Sequence, residues 1–344
     1  MLEIKSYTPT DAERWDEFVQ RHTAGTFCHL SAWQRVVEQT WQHRQQSLLA
    51  ERDGRVVGVL PLFEVNSWFG SMLVSTPNAV YGGIVADEIA SQQALIAAAQ
   101  TLANDQQVNY LELRNSQAAP PQQGFLQQRL YVSFERPIPD HETELLRSLP
   151  RDVRRMIRLG QQFGFAASLG RAELLDEFYD LYADSVRRLG TPVFPKRLFA
   201  AFLQEFPNVS DILVLRDGQR AVAAVLSFYF RDTVSPYYAG ANPAYHRVGV
   251  NNFLYWELMR RSAARGFTRF DFGRSKLGTG AYEFKRGWRM TERELPYQLF
   301  LVRDAKPPNL NPTNPKFNLM IEAWKRMPLW LTKWIGPKIV RNFP

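Results

Sequence analysis

Arg52-Asp53-Gly54-Arg55-Val56-Val57-Gly58-Val59-Leu60 and Arg216-Asp217-Gly218-Gln219-Arg220-Ala221-Val222-Ala223-Ala224-Val225-Leu226 carry one pattern twice: strand, Asp-Gly turn, strand. Asp-Gly between apolar runs signals a tight hairpin, because the turn needs positive φ, which glycine adopts freely. Working outward, Tyr81-Gly82-Gly83 is echoed by Tyr238-Ala239-Gly240, and Leu111-Glu112-Leu113-Arg114-Asn115-Ser116 by Phe270-Asp271-Phe272-Gly273-Arg274-Ser275. The three offsets are 164, 157 and 159 residues, so order and spacing are both kept. Helical stretches near 91–104 and 250–265 precede the last pair. Each half reads as helices, hairpin, strand, helix and strand, and a strand–helix–strand crossover makes an α/β fold. We expect halves at 1–145 and 146–303 with a cleft between them, and a region 304–344 beginning in a linker rich in Pro307, Pro308, Pro312 and Pro315.

The 344 residues, 45% hydrophobic and 22% charged, are globular in composition, and two domains suit the length. Nine Trp, 13 Tyr and 23 Phe supply two cores and leave material for a sugar- or lipid-facing surface. A single cysteine, Cys28, excludes an internal disulfide framework and a cysteine-based zinc site. Cys28-His29 reads as a buried thiol whose neighbour points away along a strand, and His22, His29 and His43 lack metal-ligand spacing, so no metal is expected. The start lacks a secretory signal and no apolar run reaches 18 residues, which points to the cytoplasm.

The net charge of +8 is local. Residues 316–344 hold six Lys and Arg against Glu322 alone, with Phe317, Met320, Ile321 and Trp324 at helical spacing, then Pro328 and Leu329-Trp330-Leu331-Thr332-Lys333-Trp334-Ile335. Residues 317–341 therefore suit either an anionic membrane face, making the protein peripheral there, or docking onto the protein core. Arg151, Arg154, Arg155 and Arg158 share one helix face, where like charges repel unless an anion or a solvated surface absorbs them.

The segment Tyr245-His246-Arg247-Val248-Gly249-Val250-Asn251 opens a helix after a strand, so Arg247 and Asn251 are candidates for holding a phosphate at a helix start. In coenzyme A-dependent N-acetyltransferases of the GNAT class this place reads Gln/Arg-x-x-Gly-x-Gly/Ala, and here only Gly249 is kept. Further on stand Phe270-Asp271-Phe272-Gly273-Arg274-Ser275 and Gly278-Thr279-Gly280-Ala281-Tyr282-Glu283-Phe284-Lys285-Arg286-Gly287-Trp288. With the basic stretch from Leu149 to Arg158, these resemble the FemAB family, aminoacyl- and acyltransferases built from two GNAT-like domains, over most of residues 25–300. The exopolysaccharide-associated branch found with exosortase systems is the most similar.

The resemblance implies two tandem GNAT-like domains, acyl-CoA or aminoacyl-tRNA as donor with no resident cofactor, and an acyl-transfer site at Phe284-Lys285. Read as lying on a strand after a Gly-rich loop, Lys285 would stabilise an oxyanion with a compact three-donor cation. Asp271 would orient or deprotonate an amine, or else cap the next loop or pair with Arg274. Arg274 is a candidate clamp for phosphate or carboxylate. Tyr81, Gly82 and Tyr238 occupy matching strand ends and count as substrate-binding candidates, although tyrosines there also serve packing. The acceptor would be an anionic small molecule or a glycan- or lipid-linked envelope precursor, with tRNA a partner by family analogy only. The competing reading is a non-catalytic GNAT-fold protein that binds such a precursor.

Overall fold

A computed structural model describes residues 1–117, 124–304, 306 and 318–343. In chain order it begins β1 (Leu2–Ser6), α1 (Ala12–Arg21), α2 (Ser31–Trp41), β2 (Arg44–Gln45), β3 (Leu48–Arg52), β4 (Arg55–Leu60), β5 (Phe63–Ser67) and β6 (Gly70–Val74). Then follow β7 (Val85–Ala86), α3 (Ile89–Asp105), β8 (Tyr110–Arg114), β9 (Phe125–Gln128), β10 (Tyr131–Pro137), α4 (Glu142–Ser148), α5 (Arg151–Phe163) and β11 (Ala166–Gly170). Next come α6 (Leu175–Arg188), α7 (Lys196–Glu205), β12 (Ser210–Asp217), β13 (Arg220–Phe230), β14 (Thr233–Ala241) and α8 (Val250–Ala264). The last are β15 (Arg269–Lys276), α9 (Gly280–Arg286), β16 (Thr291–Glu294), β17 (Tyr297–Leu301), α10 (Asn318–Arg326) and α11 (Leu329–Val340).

The chain forms two α/β units, divided near Tyr131 and Leu295 rather than at 145 and 303. The first takes its described residues from 1–130, 295–314 and 338–344, the second from 131–294 and 315–337. In the first unit β17 lies between β8 and β9; in the second β10 lies between β15 and β16. The first unit thus completes its sheet with a strand from beyond its main run of sequence, and the second places the strand that opens its run near the edge of its sheet. The prolines 307, 308, 312 and 315, together with Phe317, lie outside the described residues.

In the second unit one seven-stranded sheet runs β11-β12-β13-β14-β15-β10-β16. The turn between β12 and β13 has Gly218 at φ 55°, as the Asp-Gly signal requires. From Val222 to Phe230 every residue of β13 is buried, because helices cover both faces of the strand. One face packs with α5 and α8 around Val153, Ile157, Val225, Phe253, Leu254 and Phe270. Gly160 makes the approach of α5 to α8 close: a Cβ there would lie 2.6 Å from the Phe253 Cβ. Strand β14 pairs β15 in parallel only at Thr233↔Arg269 and Val234↔Phe270, then follows β13 alone. Tyr237 bulges out where β14 leaves its neighbour, between the pairs Ser227↔Pro236 and Leu226↔Tyr238. A fork therefore opens between β14 and the far end of β15.

The first unit repeats the plan with that strand broken. β6 pairs β8 in parallel within the sheet β2-β5-β6-β8-β17-β9, whereas β7 pairs β4 in the separate sheet β1-β3-β4-β7. The Asp53-Gly54 turn joins β3 to β4 with φ of 49° and 78°. Cys28 is buried as expected, but Phe27–His29 form a 3₁₀ turn rather than a strand, since Leu30 N–H bonds the Phe27 carbonyl.

The described part of the tail packs on the protein. Within the second unit Trp324 is 6% exposed and donates its indole N–H to the Thr191 carbonyl at 3.0 Å, while Arg187 donates to the Lys325 carbonyl at 2.6 Å. Within the first, Asn342 Oδ1 accepts the Trp68 N–H at 3.1 Å. Leu319, Met320, Trp330 and Trp334 stay exposed. No helix among the described residues is long and apolar enough to cross a membrane.

Candidate functional site

The far end of β15 is irregular for a reason visible in its residues. In an extended strand successive carbonyls alternate in direction, so three in a row cannot reach one donor. Here Gly273 takes φ 68°, and its N–H is held at 2.8 Å by Asp271 Oδ1. A Cβ at Gly273 would meet nothing within 4 Å, so glycine is needed for its backbone angle and not for space. Opposite this kink the pairing with β10 slips, with Glu135↔Asp271 and Ser133↔Arg274 leaving Phe134 facing two residues. The kink turns the carbonyls of Phe272, Gly273 and Arg274 toward a common point.

Lys285 occupies that point. Its Nζ donates to the three carbonyl oxygens at 2.6, 3.1 and 3.0 Å respectively. It reaches them from helix α9, not from a strand. Thr279 caps that helix by accepting the Tyr282 N–H at 3.3 Å, which starts a helical turn where the sequence reads as loop-then-strand. Burial pushes the Lys285 ammonium down to about 8, partly opposed by the neighbouring Asp271 carboxylate and reinforced by Arg274. An aromatic wall surrounds it. Nζ lies 5.4 Å from the Phe272 ring, and Phe272 meets Tyr255 at 4.5 Å and Trp288 at 5.7 Å. Phe284, half-buried, joins the same cluster.

The sequence-derived candidates therefore fall into groups. Lys285, Asp271, Arg274 and Phe284 come together at the end of β15. Asp271, 8% exposed, holds the Gly273 turn, the capping alternative. Arg274 lies over the Tyr131 ring at 4.6 Å. Arg247 is exposed in the 3₁₀ turn Pro243–Val248, and Asn251 stands half-buried in the first turn of α8. Between them Gly249 takes φ 79°, and a Cβ there would lie 2.1 Å from the Met156 carbonyl oxygen, so the loop is pinned against α5. Arg151, Arg155 and Arg158 are exposed on α5; Arg154 is half-buried and donates to the Arg147 carbonyl. None of these four pairs with a carboxylate among the described residues.

Tyr238 is buried in an aromatic cluster, 5.1 Å from Phe199 and 4.9 Å from Tyr237. Tyr81 and Gly82 belong to the first unit, where Tyr81 is 6% exposed and Gly82, at φ 131°, presses on Thr76. These three are not part of the Lys285 cluster within the second unit. Sequence reading missed the three-carbonyl cradle, although an Asp two residues before a strand-end Gly was its signal. It also missed Tyr255 and Trp288, which carry no mark of proximity in the sequence. No group of His, Cys, Asp and Glu among the described residues could hold a metal.

The acetyltransferase (GNAT) domain family model matches residues 147–286. No curated protein sequence matches the chain. Among solved structures, FemX superposes with TM-score 0.69 at 15% identity, covering 93% of this chain and 100% of that one. The C-terminal domain of a putative lysylphosphatidylglycerol synthetase from Agrobacterium fabrum gives TM-score 0.56 at 14% identity, covering 86% and 92%. A tandem GNAT protein from the clavulanic acid biosynthesis pathway gives 0.53 at 9%, covering 89% and 100%. The fold is thus FemAB-like: two GNAT-like units in tandem.

Proposed function

We propose that the protein transfers an acyl or aminoacyl group from an activated donor to an amine or hydroxyl, and that its second unit carries the chemistry. The observation behind this reading is the buried Lys285 ammonium on the carbonyl cradle, beside the β14–β15 fork. The acceptor's nitrogen or oxygen attacks the donor carbonyl directly, forming the new C–N or C–O bond. The C–S or C–O bond to the carrier breaks, and the acceptor's proton leaves with the departing group. As the tetrahedral oxyanion develops, Lys285 exchanges one carbonyl for it and supplies a full positive charge in a site shielded from water. Asp271 holds the cradle through Gly273. Arg247 and Asn251 at the start of α8 suit a donor phosphate, and the unpaired arginines of α5 suit an anionic acceptor or tRNA.

The similar structures support both donor classes: one is a tandem GNAT protein described with reference to AcCoA, another a putative lysylphosphatidylglycerol synthetase. The acceptor in this reading is a glycan- or lipid-linked envelope or exopolysaccharide precursor, and the similarity to a putative lysylphosphatidylglycerol synthetase supports the lipid-linked form. Exposed Trp330 and Trp334, an i,i+4 pair on α11 at 69% and 62% exposure, suit the interface of an anionic membrane, with Lys338 and Arg341 exposed beyond them.

One observation favours a second reading. All three Lys285 donors are already satisfied, as they would be in a purely binding protein whose lysine only braces β15. Thermal unfolding with acetyl-CoA, longer acyl-CoAs, aminoacyl-tRNA and nucleotide-activated sugars separates the readings. A ligand at a hundred times its Kd adds about 2.7 kcal/mol. A stabilising acyl-CoA or aminoacyl-tRNA identifies the donor. Stabilisation by the sugars alone, or by nothing, supports the binding protein.

A further inference from the structure

A second basic feature lies on the other side of Trp288. A cavity of about 420 Å³ is lined by the end of β10, the start of α5 and the turn after α9. That volume falls within the roughly 300–1,000 Å³ of small-molecule sites. Arg136, Arg151 and Arg289 line it, and no carboxylate does. Among the described residues none of the three forms an ion pair. Arg136 is half-buried and steadied by donation to Ser148 Oγ at 2.7 Å, and that hydroxyl donates in turn to the Leu145 carbonyl at 2.7 Å. Burial lowers the pKa of Arg136, the mark of a cation desolvated without a partner.

Two further donors belong to the same wall. Pro150 precedes the first turn of the 13-residue helix α5, and the first hydrogen bond back to it is from Arg154, so the N–H groups of Arg151, Asp152 and Val153 have no partner within the helix. Trp288 is 1% exposed, and its indole N–H has no acceptor among the described residues. A buried donor left unsatisfied is destabilising, and an oxyanion supplies the missing acceptor. Three unpaired guanidinium groups, a helix start and an orphan indole N–H converge on one concavity, and every one of them donates.

We infer that this cavity is a binding site for the phosphate or diphosphate group of a small molecule, separate from the Lys285 cradle. Guanidinium forks match phosphate oxygens bidentately. None of its lining residues belongs to the loop Pro243–Val248 or the first turn of α8, so it is a different anion site from the one considered for the donor. A compact concavity of this size fits a terminal phosphate group better than the long groove that a nucleic-acid backbone requires. Trp288 joins the two sites: it lines the cavity, and its ring meets Phe272 and Phe284 of the Lys285 wall.

Isothermal titration with inorganic pyrophosphate at fixed ionic strength tests the site. Wild type should bind saturably, and Arg151→Gln and Arg289→Gln, both at exposed positions, should weaken binding about tenfold each. Unchanged circular dichroism and Tm would show that the variants are folded. Arg55→Gln, an exposed arginine of the first unit, should bind as wild type does. In ¹⁵N spectra the Trp288 indole resonance, assigned through Trp288→Phe, should move on addition of pyrophosphate. Absence of saturable binding, or equal binding by the Arg151→Gln/Arg289→Gln double variant, overturns the site. Binding of duplex RNA without binding of pyrophosphate overturns the small-molecule assignment.

Discussion

Both units bury a cation on backbone carbonyls at the same place in the fold, and they do it with opposite chemistry. In the first unit the cation is Arg114, at the repeat position where the second unit has Gly273. It is 3% exposed, donates to the carbonyls of Thr76 and Ala79 at 3.3 and 3.2 Å, and is neutralised by Glu112 at 2.7 Å. In the second unit the cation is Lys285, brought by a helix from outside the repeat, with its ammonium lowered to about 8. An arginine bound to a carboxylate is a permanent lock. A desolvated lysine whose hydrogen bonds go to neutral carbonyls can exchange a partner and can titrate. The repeat keeps a buried cation in both copies, and only the second copy leaves it without a bonded carboxylate, as the proposed chemistry requires. The GNAT family model, matching 147–286 alone, follows the same division.

Breaking the comparison on the second side should have the largest effect. Lys285→Met should lower turnover by roughly 10²–10³ with donor binding retained, the scale of losing one oxyanion donor. Wild-type turnover should fall as pH rises through about 8, where the ammonium is lost, and that limb should vanish in Lys285→Arg whatever activity remains. The stability sign is the reverse. Between about 8 and the unfolded value of 10.5 the unfolded chain binds more protons, so this group adds stability as pH rises through that window.

Breaking it on the first side should act on folding. Arg114→Met removes a buried cation from the Thr76 and Ala79 carbonyls and leaves the half-buried Glu112 unpaired; it should cost about 2–4 kcal/mol by denaturant unfolding, with turnover per folded molecule kept. Gly273→Ala tests the cradle between these extremes: φ 68° should cost about 1–2 kcal/mol, and turnover should fall because the carbonyls disperse. The smallest effect belongs to His43, buried in the first unit and lowered to about 4 by burial and by Arg341. Its folded pKa lies below the unfolded value, so its share of stability is lost as pH falls from 6.5 toward 4, and His43→Leu should flatten that part of the acid limb. Truncation after Pro315 should lower binding to anionic vesicles, as read by co-sedimentation; an unchanged bound fraction removes the membrane contact of the tail.

The repeat was legible because its signals are local. Asp53-Gly54 and Asp217-Gly218 force hairpins, and α3 and α8 follow from apolar spacing. The exchange of β10 and β17 was not. Tyr131-Val132-Ser133-Phe134 and Tyr297-Gln298-Leu299-Phe300 are similar short strands, and which sheet each joins is decided by tertiary pairing alone. At the site, Lys285, Asp271, Arg274 and Phe284 were within reach of sequence reading because the turn and the capped helix lie close together in the chain. The sequence places Lys285 on a strand because Thr279 reads as part of a Gly-rich loop, whereas it caps the helix that carries the lysine. The arginines at 136 and 289 lie 153 residues apart and meet only through the sheet, so no spacing pattern could announce them.

The most direct measurement is single-turnover release of the acyl group from whichever donor raises Tm, in Lys285→Met and Arg114→Met side by side. We expect release to collapse in the first and to persist, per folded molecule, in the second. Equal release from both variants would contradict the assignment of the chemistry to the second unit's lysine.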